Sequence, residues 1–113
     1  MFVVTQSTYD SKKDALRRFL VAYRDSAAWM ISEPKQAAKI AKTRSINGRN
    51  EAVNLEIIKL RNLSAVSVTT AQHGLGSFDL ELLEKGAQTF LELGLIKKRI
   101  DVPAVVKADL IPE

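Results

Sequence analysis

Cysteine is absent from this chain, and histidine and tryptophan occur once each. Without thiols there is no disulfide to staple a small fold, no thiolate nucleophile and no cysteine-held metal, and the redox compartment stays open. The lone imidazole, His73, has no second ligand at metal spacing. It reads as a loop histidine bonded locally or to water rather than as a base or ligand. Aromatics make up 6% of the residues, and they do not alternate with cations as single-strand nucleic-acid binding wants. No uninterrupted apolar run approaches the ~20 residues that span a bilayer, so membrane insertion is not expected. The start, Met1-Phe-Val-Val-Thr-Gln-Ser7, lacks the basic region and long apolar core of a secretory signal. As written, the chain would stay in the cytoplasm.

What is present fits one domain or less: 113 residues, 46% hydrophobic and 27% charged. The formal charge is +4 and the pI about 9.5, a balance that permits an anionic partner without arguing for one. The cations are scattered, and several have an acid four residues away, as in Asp14 with Arg18 and Glu81 with Lys85. That is helical spacing and describes a solvated surface better than a nucleic-acid site.

Phe2-Val-Val-Thr5 is short, apolar and β-branched, and predicts a strand of about four residues. Its partner is either Ala65-Val-Ser-Val-Thr-Thr70, the only competing strand, or something outside the chain. Ser11 is the expected N-cap of a long helix whose apolar face holds Leu16, Phe19, Leu20, Tyr23, Ala27, Met30 and Ile31, ending near Ser32. Pro34 opens a second helix, with Ala37, Ala38, Ile40 and Ala41 as its small apolar side. After loop chemistry at residues 45–50, a third helix places Val53, Ile57 and Leu60 on one face, with Glu56 and Lys59 on the other. From Arg61 to Ser77 the pattern fails. Asp79 caps a fourth helix with the stripe Leu80, Leu83, Ala87, Phe90 and Leu91, and Gly94 stops it in the left-handed conformation with Leu95 folded back on the last turn. Pro103 opens a last short turn or helix. The expected class is mainly α: four to five helices plus one short N-terminal strand.

No motif with chemistry stands out. Gly74-Leu-Gly-Ser77 precedes a helix, but no Lys-Ser/Thr pair follows and the segment reads as a turn, not a phosphate loop. Phe19, Tyr23 and Trp29 lie on or near a core face, so they read as packing residues rather than a stacking platform. There is no nucleophile elbow, triad or paired carboxylate in an apolar setting. No enzyme activity, cofactor or metal is expected.

The order of segments nevertheless carries a resemblance. Asp14-Ala-Leu-Arg-Arg-Phe-Leu-Val-Ala-Tyr23 is followed by Ala28-Trp-Met-Ile-Ser-Glu-Pro-Lys-Gln-Ala-Ala-Lys-Ile40. Later come Phe78-Asp-Leu-Glu-Leu-Leu83, Phe90-Leu-Glu-Leu-Gly-Leu-Ile96 and Asp101-Val-Pro103. In this order they resemble the C-terminal part of the substrate-binding proteins of ABC importers, in the nitrate, sulfonate, taurine and thiamine-precursor group, over about residues 2–112. The resemblance implies a fragment of a two-lobed α/β fold, the C-terminal portion of a type II periplasmic binding protein. It also implies a periplasmic location, a small organic anion or heterocycle as ligand, and delivery to an ABC permease without chemistry. Family members are roughly three times longer, and their parallel strands and most ligand contacts would precede residue 1. Gln6, Ser7 and Thr8 are the positions nearest a hinge or cleft edge. The apolar helix faces would then need cover from the missing N-terminal portion or from a second copy of the chain.

Overall fold

Capping chemistry sets most of the element boundaries in a computed structural model of the chain, which describes residues 1–46, 48 and 50–111. Seven helices are formed among those residues: α1 (Gln6–Ser11), α2 (Lys13–Ser32), α3 (Pro34–Arg44), α4 (Glu51–Ala65), α5 (Val68–His73), α6 (Leu80–Glu92) and α7 (Val102–Val105). The mainly helical class holds. Neither expected strand forms. Residues 1–5 are non-helical and pair with no strand. Of the segment 65–70, Ala65 ends α4 and Val68 opens α5.

The reason is visible in the side chains. Thr5 accepts a hydrogen bond from the Thr8 N–H at 3.2 Å and so starts α1 where a strand would have continued. Phe2 lies edge-on to Phe19 and Tyr23, with ring centroids 5.1 and 4.8 Å apart. Ser11 does not cap α2: its hydroxyl donates to the Ser7 carbonyl at 2.6 Å within α1, and Lys12 separates the two helices without a side-chain cap. In the segment expected to be irregular, Ser67 and Thr70 form a reciprocal capping box that nucleates α5.

Other boundaries fall where the sequence puts them. Pro34 stands at the start of α3, and α2 ends at Ser32. The loop chemistry at residues 45–50 includes Asn47 and Arg49, which lie outside the described residues. Asn50 accepts from the Val53 N–H at 2.9 Å, and Asp79 from the Leu82 N–H at 2.9 Å. Gly94 has φ +71°. Its N–H reaches the Leu91 carbonyl at 3.0 Å, and the Leu95 N–H reaches that of Phe90 at 2.9 Å, the paired bonds of a Schellman ending. Leu95 itself stays 67% exposed, so folding back on the last turn covers it only in part.

Helices α2, α3 and α4 pack on one another, with α1 on α2, while α6 packs only on α7. The interior is small. Ala37, Ala38 and Ile58 are buried, with Met30 and Leu55 against them. Ala38, with no accessible surface, marks the close approach of the α3 and α4 backbones. On α4 the buried face is Asn54 and Ile58, not the Val53–Ile57–Leu60 face that periodicity selects. On α6 no residue is fully buried and Phe90 is half-exposed, yet the expected stripe is the covered side, with Leu83, Ala87 and Leu91 half-buried. The accessible surface is 8961 Å², against ~6,200 Å² for a compact monomer of this mass. The radius of gyration is 17.1 Å, against ~13 Å for a compact domain of this length.

Ala38→Leu should therefore destabilise the chain by about 1–3 kcal/mol through overpacking, read as a lower urea midpoint by far-UV circular dichroism. Ala52→Leu, on the exposed side of α4, should stay within about 0.5 kcal/mol of the parent.

Candidate functional site

Three surface features survive once the helices are placed. The first is an open apolar groove of about 610 Å³ between α2 and α3. Ala37 and Ile58 form its floor, Trp29 and Ile40 its walls, and Asp25 and Ser26 lie on its rim. Nearby, the Asn62 amide donates to the Met30 carbonyl at 3.1 Å, and its buried Oδ1 has no partner. The second is a wider groove of about 830 Å³ along α6 and α7. It is mixed in character, lined by Glu84, Lys85, Arg99 and Asp101 beside Ala87 and Val102. Lys85 is held by Glu81 at 2.7 Å, the pairing expected from spacing. Asp14 and Arg18 form no such pair.

The third feature was not foreseen, because its members are 100 residues apart in sequence. The Tyr9 hydroxyl donates to the Asp109 carboxylate at 2.8 Å, and Lys13 Nζ lies 2.5 Å from the same group. Lys13 also stands 4.9 Å from the Tyr9 ring centroid, within cation–π reach. The cluster ties the segment after α7 to α1 and α2. Leu110 is buried beside it in sequence, and Gly76 faces Ile111, since a Cβ there would meet Ile111 Cδ1 at 2.8 Å. The final segment thus touches both the α1–α2 side and the turn before α6. The Lys13 ammonium, then the Tyr9 hydroxyl, hold the Asp109 carboxyl below its ordinary value. Asp109, then Tyr9, raise the Lys13 ammonium above its own.

The residues singled out from sequence are dispersed. Gln6 donates to Asp10 at 2.9 Å, and the Ser7 and Thr8 hydroxyls lie 3.0 and 2.9 Å from Thr5 Oγ1. All three serve the first turn of α1, and none lines either groove. His73 ends α5 on the surface, where its carbonyl accepts from the Ser77 hydroxyl at 2.8 Å. Gly74 and Gly76, with φ of +89° and +98°, make the turn that follows. Phe19 and Tyr23 meet Phe2 rather than a buried core, and Trp29 walls the apolar groove. Among the described residues no three acidic or histidine side chains are placed to share a metal ion. Among the described residues no helix is long and apolar enough to cross a bilayer; α2 has the length but carries cations and acids from Lys13 to Asp25.

No family model, curated protein or solved structure matches this chain.

Asp109→Asn should loosen the segment after α7, and its cost should depend on pH. Because the folded carboxyl is lowered from its ordinary 3.8, its contribution is present above that value and lost as pH falls through the lower folded value. The Lys13 contribution, raised from 10.5, is present below that value and lost as pH rises through the higher folded one. The stability gap between parent and Asp109→Asn, measured by urea titration, should be flat from pH 5 to 9 and shrink below about pH 4.

Proposed function

We propose that this chain is the helical, C-terminal portion of a solute-binding component of an ABC importer, of the nitrate, sulfonate, taurine and thiamine-precursor type. In this reading it captures no ligand alone. It contributes helices to one lobe of a periplasmic two-lobed protein whose remaining polypeptide supplies the sheet and most ligand contacts. The ligand is a small organic anion or heterocycle, delivered to a permease without catalysis.

The observation that supports this reading is the uncovered apolar surface on helices arranged in that order. Trp29, Ile40, Val53, Ile57 and Phe90 all keep large accessible areas. Already about half covered, each such side chain gains about 1 kcal/mol more when fully covered, so the faces favour a further polypeptide. A second reading has its own support. Phe2 closes over Phe19 and Tyr23 within the chain, using the segment a sheet would need. That favours a stand-alone helical interaction module that pairs with a second copy and has no transport role.

The genomic frame upstream of Met1 separates the two. The first reading expects an in-frame continuation with a signal peptide and βαβ pattern. It also expects that longer protein to show ligand-dependent tryptophan fluorescence with taurine, nitrate or a pyrimidine, and the 113-residue chain to show none. An in-frame stop just upstream, with a folded soluble oligomer, would overturn it in favour of the second.

A further inference from the structure

Helix α4 carries apolar residues on two sides about a third of a turn apart, and only one side enters the core. The buried side holds Asn54 and Ile58. The other holds Val53, Ile57 and Leu60, which are 38%, 42% and 67% exposed, and then Ser64. Their spacing of four, three and four is that of a heptad seam, with Val53 and Leu60 at d and Ile57 and Ser64 at a. A β-branched residue at a with leucine at d favours two strands over three or four. The seam is flanked by Glu56 at g and Arg61 at e, five residues apart. That offset brings g of one helix beside e of its partner when two copies run parallel and in register. Glu56 now meets Lys59 at 2.9 Å within its own helix, with both side chains more than half exposed. Such a pair exchanges partners at little cost.

We infer that two copies of this chain pair through the outer face of α4, parallel and in register about a two-fold axis. Ile57 meets Ile57, Leu60 meets Leu60, and Glu56 of each copy faces Arg61 of the other. The chain as a whole exposes roughly 2,800 Å² more than a compact monomer of its mass, the scale of surface that an obligate dimer hides on each partner, about 1,000–2,500 Å², and the α4 face supplies part of it. Leu63, Val66 and Val68, all at least half exposed, extend the apolar surface beyond the seam. An isolated helix of 15 residues is marginal in water; here α3 already holds it. Antiparallel pairing would set Ile57 against Leu60 and put flanking positions beside their own kind, losing both charge pairs. The inference rests on the second reading above, self-association, and adds the face and the register.

Analytical ultracentrifugation of the full chain tests both levels. The parent should sediment at twice its monomer mass, and Leu60→Arg as a monomer with unchanged helical content by circular dichroism. Glu56→Arg and Arg61→Glu should each weaken dimerisation by roughly tenfold or more, and an equimolar mixture of the two should restore it, because both cross-pairs are then matched. The absence of native cysteine makes the register readable: Leu60→Cys alone should cross-link on mild oxidation. A monomeric parent would sink self-association and the seam together. A dimer that survives Leu60→Arg would overturn the seam while leaving self-association standing. Should Leu60→Arg unfold the chain, failure of the charge-swap mixture to dimerise would count against the seam. Cross-linking only on mixing Ile57→Cys with Leu60→Cys would overturn the parallel register.

Discussion

Ala38 sits where α3 meets α4, and its complete burial sets how near the two helices come. A larger side chain there would push the backbones apart and withdraw Ile58, Leu55 and Met30 from the cluster of buried apolar side chains around α2, α3 and α4. Everything else is attached more lightly. Helix α1 lies on α2, α6 lies on α7, and the segment around Asp109 and Leu110 joins the ends through a hydrogen-bonded carboxylate and one buried leucine. A core this small leaves several apolar faces outward, and that surplus is the physical fact from which each functional reading begins.

The surplus has a definite distribution. It lies along the α2–α3 groove at Trp29 and Ile40, on the outside of α4, and on α6 at Phe90. Some charged side chains near them pair along their own helices, as Glu56 does with Lys59 and Glu81 with Lys85. Such surfaces suit polypeptide contact. A β-scaffold from the same protein would cover them broadly. A second copy would cover them by symmetry, starting from the α4 face, whose spacing and flanking charges match themselves.

Local chemistry was legible before any tertiary structure. Pro34 and Asp79 start helices, and Gly94 ends one in a left-handed conformation. These signals act within one turn and need no distant partner. The failures have an equally local cause. Thr5 and the Ser67–Thr70 pair turn β-branched segments into helix starts, because a side-chain oxygen satisfies a backbone donor that a lone strand could not. Periodicity picked the more covered side of α2, α3 and α6, where Leu16, Met30, Ala38, Leu83 and Leu91 are buried or half-buried, but chose the wrong side of α4.

The sequence by itself determined where several of the helices begin or end, since capping oxygens, proline and glycine act on neighbouring backbone groups. Only the tertiary structure decided which side of α4 is interior, and that Tyr9 and Lys13 meet Asp109. Those outcomes depend on the order in which helices approach through space, and apolar periodicity is identical for a face buried in the chain and a face left open to a partner.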